Sequence, residues 1–168
     1  MMVLLLVVLV ACAPKHTLEV MDTRQERVCQ FAIQAHGHSF AGLMAAVLED
    51  GGVEVSAMTP AGTELFRVAR LGEQVDVRAP DPSWVPWLER LPFDRDLALV
   101  FLWGCPVERC AVEGGVVTQR PLDGGGIVRT WRGPAGAVSA VIQPGKAVIS
   151  DTRRGYVVTL AGEVIHVP

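Results

Sequence analysis

The chain has 168 residues, a net charge of −3, and a composition that is half hydrophobic yet poor in aromatics. Acidic and basic residues are interspersed, which excludes the basic footprint of a nucleic-acid binder. After Ala11 no apolar run approaches the ~20 residues that a spanning helix needs, and the prevalence of Ala and Val suits strands and a lined interior.

Residues 1–11 carry no charge and consist of Met, Val, Leu and Ala alone. A run of this length matches the apolar core of a signal peptide, about 7–15 residues. It closes as Leu9-Val10-Ala11-Cys12, a small residue directly before a cysteine. This order resembles the lipobox of bacterial lipoprotein precursors, in which the cysteine is acylated and becomes the new amino terminus. The resemblance implies lipidation of Cys12 and a mature protein anchored to a membrane, because stable anchoring takes more than one acyl chain. Ala13 rather than Asp after the cysteine points to the outer membrane, facing the periplasm.

Residues 12–26 read as a tether, with Pro14, Lys15 and His16 followed by charged positions without periodicity. Residues 27–168 are long enough for one domain with a core of its own. Within them a period of two dominates. Phe31, Ile33 and Ala35 fall on one face of a first strand; 40–49 is a second, more continuously apolar strand. Asp50-Gly51-Gly52 is a hairpin signal, and Val53, Val55 and Ala57 then alternate with polar neighbours. A turn over Thr59-Pro60-Ala61-Gly62-Thr63 leads to strands over 64–70 and 75–78.

The pattern changes over 81–103. Asp81-Pro82-Ser83 opens a short helix over 84–91, where Pro86 fits only the first turn. Pro92-Phe93-Asp94 opens a second helix over 95–103, with Asp94 as its cap. Leu97, Val100 and Phe101 form an apolar stripe that can cover a sheet. Strand signals resume over 111–113, 116–120, 127–132, 137–143, 147–150, 156–160 and 164–167, most of them separated by glycine turns. About eleven strands on a chain of this size should close, or nearly so, to avoid long exposed edges.

Cys12 aside, the cysteines are Cys29, Cys105 and Cys110, and export places them where disulfides persist. Four residues separate Cys105 from Cys110, so these thiols can meet across a tight turn; two unpaired thiols, or a bridge from Cys29 to either, remain open. The spacing lacks the ligands of a zinc site.

In the Val53-to-Arg67 hairpin with its Thr-Pro-Ala-Gly-Thr turn, and in the Leu91-Pro92-Phe93-Asp94 helix start, the chain resembles the LolA/LolB-type lipoprotein carrier fold and, within it, LolB-like lipoproteins. The resemblance implies a mainly β fold: an unclosed antiparallel barrel with a helical lid, whose apolar cavity holds acyl chains of a lipid or lipoprotein. Candidate lining residues are Phe31, Ile33, Val53, Val55, Val75 and Val77 on strands, with Leu97, Val100 and Phe101 on the helix above. Trp84, Trp87 and Phe93 stand where aromatics can guard a mouth. A periplasmic carrier or an envelope biosynthesis complex is the expected protein partner.

Catalytic motifs are missing: there is no G-x-S-x-G elbow, no H-E-x-x-H and no phosphate-cradling loop. His36 and His38 share a strand face without a third metal ligand. Asp94 and Asp96 are accounted for by helix capping and the helix dipole, and Arg153-Arg154 reads as a solvated pair, with anionic headgroups the alternative. The expectation is a non-enzymatic protein without metal or cofactor. It is either an acyl-chain carrier or an envelope interaction protein that uses the barrel surface, and the two are separated by whether the barrel is hollow.

Overall fold

The computed structural model describes residues 24–49, 52–163 and 165. Cys12, the expected signal peptide, most of the expected tether and most of the strand signal over 164–167 lie outside the described residues.

The strands are β1 (Gln25–Ala35), β2 (His38–Glu49), β3 (Gly52–Met58), β4 (Glu64–Leu71), β5 (Gln74–Arg78), β6 (Arg109–Val112), β7 (Gly115–Pro121), β8 (Ile127–Gly133), β9 (Gly136–Gln143), β10 (Lys146–Asp151) and β11 (Tyr156–Ala161). They form one antiparallel sheet in the order β5-β4-β3-β2-β1-β11-β10-β9-β8-β7-β6. The fold is mainly β, an unclosed barrel with its helical insertion between the two edge strands. Gln25 and Glu26 pair with Leu48 and Val47, so the sheet takes in the last two residues of the expected tether.

Short turns impose this meander. Thr59 N–H donates to the Thr63 carbonyl at 2.8 Å, and Thr63 N–H donates to Thr59 Oγ1 at 3.1 Å, which closes the β3–β4 turn. β1 and β11 pair in the middle of the order, so the segment between β5 and β6 must travel from one sheet edge to the other. It does so as a 3-10 turn (Pro82–Trp84), helix α1 (Val85–Leu88) and helix α2 (Phe93–Phe101).

The alternation read from the sequence sets the inner face. Phe31, Ile33, Met44, Ala46, Val55, Phe66, Val68, Val138, Ala140, Ile142, Ile149 and Leu160 are buried on the concave side. The outer face is uncharged over its centre, where Ala41, Ala32, Thr159, Val148, Val141 and Val128 stand side by side on successive strands. Cys105 and Cys110 are joined by a disulfide with a Cα–Cα distance of 5.7 Å, which ties the exit of α2 to edge strand β6. Cys29 is buried and free, and burial pushes its thiol up to about 11, so it is protonated at neutral pH.

Candidate functional site

Helix α2 lies across the concave face and packs on β3 from one side and on β8 and β9 from the other. A helix that only covers a sheet keeps a polar face in water. In α2, Phe93, Arg95, Asp96, Leu97, Ala98, Leu99 and Val100 are all buried. Six consecutive residues cover every direction around a helix axis, so α2 is enclosed on all sides. It is sunk into the barrel as a plug, beyond the one-faced covering that the apolar stripe predicts.

Enclosure forces the polar side chains of α2 to find partners inside. Arg95 donates to Asp96 Oδ1 at 2.6 Å from Nη2 and at 2.9 Å from Nε. The same Nη2 reaches Asp151 Oδ2 at 3.3 Å and Tyr156 Oη at 2.8 Å, and the Tyr156 hydroxyl donates to Asp96 Oδ2. Asp151 is shared with Arg154, whose Nη1 and backbone N–H donate to it at 2.9 Å each. The Arg95 guanidinium also lies 5.1 Å over the Trp131 ring. Asp96 and Asp151 are 3 % and 1 % exposed, so this is a buried ionic cluster joining α2 to β10 and β11.

Two further arginines tie the insertion down. Arg70 of β4 donates from Nη2 to the Glu89 carbonyl at 2.9 Å, and its Nε lies 3.2 Å from Asp94 Oδ1. Arg129 of β8 donates from Nη1 to the carbonyls of Leu99 and Val100, each at 3.0 Å, and from Nε to Gln119 Oε1 at 2.9 Å. The Leu99 and Val100 carbonyls belong to the last turn of α2, where helix geometry leaves oxygens without intrahelical donors.

Electrostatics follow from burial. Burial pushes the Asp96 carboxyl up to about 6 against the pull of Arg95 and Tyr156. Burial pushes Asp151 the same way, but the Arg154 backbone and side chain, with Arg95, outweigh it and hold Asp151 below the usual carboxylate value. The Arg129 guanidinium is pushed down to about 10 by burial alone.

The residues expected to line a cavity occupy this same interior. Phe31, Ile33, Val53 and Val55 are buried on the concave face, and Leu97 and Val100 are buried on α2. Val75 and Val77, on edge strand β5, are half-buried against the core, as is Phe101 at the end of α2, where the Arg27 guanidinium lies 5.8 Å from its ring. Phe93 is 2 % exposed and stacks on Phe66 at 6.0 Å; it belongs to the core and not to a rim. Trp84 and Trp87 meet Phe40 at 4.6 and 5.3 Å, and His38 stacks on Trp87 at 5.7 Å, an aromatic cluster between the insertion and β2. An open cleft of about 540 Å³ lies elsewhere, near Arg24, Val47, Glu54 and Asp76, and of the expected lining residues only Val53 and Val75 border it.

Three sequence expectations are corrected here. Asp94 does not cap α2: Pro92 holds the cap position without a side-chain bond, and Asp94 pairs with Arg70 instead. Asp96 does not serve the helix dipole from the surface but sits in the buried cluster, because its side of the helix faces β10 and β11. Arg154 is not merely solvated, since its guanidinium is spent on Asp151; Arg153 is exposed and donates to the Ala135 carbonyl at 3.0 Å. Arg95, Arg129, Asp151 and Tyr156 were not singled out by motif or spacing. Arg129, placed at an inward position between Ile127 and Trp131, was the one signal that alternation offered.

Among the described residues no three His, Cys, Asp or Glu side chains are grouped to hold a metal ion, and no helix is long and apolar enough to cross a membrane. No family model matches the chain, and no curated protein matches it in sequence.

Proposed function

We propose that this protein is a lipid-anchored envelope lipoprotein, acylated at Cys12, that shelters acyl chains of a lipid or lipoprotein in the concave face of its barrel. In this reading it belongs with the LolA/LolB-type carriers, stands at the outer membrane facing the periplasm, and exchanges cargo with a periplasmic carrier or an envelope complex. α2 is the gate: cargo enters as the helix leaves. The observation that carries the reading is the manner in which α2 is held. A helix meant to stay in a core is most stable when its contacts are apolar, because buried ions carry a desolvation cost that a hydrophobic replacement avoids. α2 instead crosses an apolar trough and is fastened by Arg95, Asp96 and the Arg129 contact. Water or cargo can take over those polar bonds when the helix leaves.

The test is lipid analysis of the chain purified from a membrane-containing host, together with uptake of a fluorescent fatty-acid probe. Co-purified acyl lipid, and uptake that is lost in Val100→Trp, is the expected result. A lipid-free protein that takes up no probe refutes the carrier. One observation favours a second reading, an interaction protein without cargo: the concave face is already filled by the chain's own helix, while the centre of the convex face is uncharged and open to a partner.

A further inference from the structure

We infer that Arg129 is the anion-binding residue of the barrel, and that the cargo is an acyl lipid with a carboxylate or phosphate at its polar end. This rests on the carrier reading and narrows it.

Three arginines hold the insertion, and two of them have carboxylate partners: Arg70 with Asp94, and Arg95 with Asp96 and Asp151. Arg129 has none among the described residues. It is 2 % exposed, and its bonds go to the Gln119 amide and to two main-chain carbonyls. Among the described residues its Nη2 makes no hydrogen bond, and it lies beside Gly104, where an added Cβ would stand 3.5 Å away. The C-terminal carbonyls of α2 supply only about half a negative charge. A full cation therefore sits buried without a full counter-charge among the described residues, and burial lowers its pKa to about 10.

The geometry identifies what would complete it. Gln119 holds Nε and so fixes the plane of the guanidinium, while Nη1 is engaged only by the plug and Nη2 by nothing. When α2 leaves, both terminal nitrogens are free. That fork fits two oxygens of one carboxylate or phosphate, the pairing in which arginine surpasses lysine. Ile127, Ala140 and Ile142 on β8 and β9 are buried apolar neighbours on the same face, and they would take the chain behind the headgroup. The anion replaces the helix end it displaces, so opening need not leave a bare buried charge. A neutral acyl group, such as the glyceride end of a lipoprotein, lacks that exchange.

The experiment is native mass spectrometry of the full chain, released from nonionic detergent at pH 8 with equimolar palmitate and methyl palmitate. The wild type is expected to carry palmitate over its ester by about ten- to a hundredfold. Arg129→Gln should lose that preference, read as the acid-to-ester ratio within the variant, and Arg129→Lys should keep part of it. Equal loading of acid and ester on the wild type overturns the inference and leaves the carrier standing; this ratio decides even where a variant does not fold. If neither ligand loads, the carrier reading fails. Titration of inorganic phosphate against the Arg129 Nε–H resonance then decides: a saturable shift keeps a site for the free anion, and no shift overturns that too.

Discussion

Replacing Asp96 by Asn removes a carboxyl whose ionisation the barrel opposes, and the effect on stability has a definite sign and pH window. Burial raises this group from 3.8 to about 6 in the folded protein. At ~1.4 kcal/mol per pKa unit, a rise of about 2 units is worth about 3 kcal/mol. The folded state binds the Asp96 proton more tightly than the unfolded chain does, so protonation favours folding. This contribution is fully present below about pH 4 and is lost as pH rises through about 6. Asp151 runs the other way: its folded pKa is lowered, so its contribution is present above the ordinary carboxylate range and fails only at lower pH, outside this window.

Asn at position 96 keeps one oxygen to accept from Arg95, sets an amide N–H₂ against the Tyr156 hydroxyl, and cannot ionise. Relative to the wild type, the variant should therefore gain up to about 3 kcal/mol between pH 4 and pH 7. Urea unfolding followed by tryptophan fluorescence, at half-unit steps across that range, reads the difference directly, and subtraction cancels every other titrating group. A wild-type-minus-variant difference that stays flat, or that moves toward the wild type as pH rises, would refute the placement of Asp96 as a buried acid opposed by its surroundings.

Leu99 is fully buried at the centre of the plug, so Leu99→Ala should cost about 2–5 kcal/mol in urea unfolding; a loss below about 1 kcal/mol would mean that α2 does not pack as described. Gly42 faces the Met58 carbonyl across the irregular end of the β3–β4 pairing, where an added Cβ meets main chain and not a movable side chain. Gly42→Ala should therefore destabilise by about 1–3 kcal/mol in thermal unfolding. Removing the Cys105–Cys110 bridge by Cys110→Ser frees a short loop, for which chain entropy gives about 2 kcal/mol, and native-state hydrogen exchange should show the loss first in β6 and the exit of α2.

Most of the sheet was legible because each strand pairs one alternating face with a glycine turn. Val53, Val55 and Ala57, bounded by Gly52 and the Thr59–Thr63 turn, admit one reading. The helical insertion was legible for a different reason: Pro82, Pro86 and Pro92 break the period of two and leave helix starts. What could not be read was the depth of α2. Its stripe of Leu97, Val100 and Phe101 is the same for a helix lying on a sheet and for one sunk into it. The distinction lies in where Arg95 and Asp96 end, and their partners Asp151 and Tyr156 are more than fifty residues away. Asp94 misled for a local reason, since Pro-Phe-Asp has the form of a cap, but the register places Pro92 there and turns Asp94 toward Arg70.

The two polar anchors of α2 differ in kind, and the difference bears on how a plug of this sort can be released. The Arg95–Asp96 end is balanced: two carboxylates face two guanidinium groups and a hydroxyl, and breaking it unmakes several charge-assisted bonds at once. The Arg129 end is unbalanced: among the described residues a buried cation is held only by neutral oxygens, those of Gln119, Leu99 and Val100. In the proposed carrier, release should therefore begin at the C-terminal end of α2, beside Arg129. The helix would then swing on the segment after Pro92, with the ionic cluster last to part. The disulfide from Cys105 to Cys110 anchors the chain only four residues beyond Phe101. It limits how far that end can travel, so in the proposed carrier the helix leaves by lifting this end from β8.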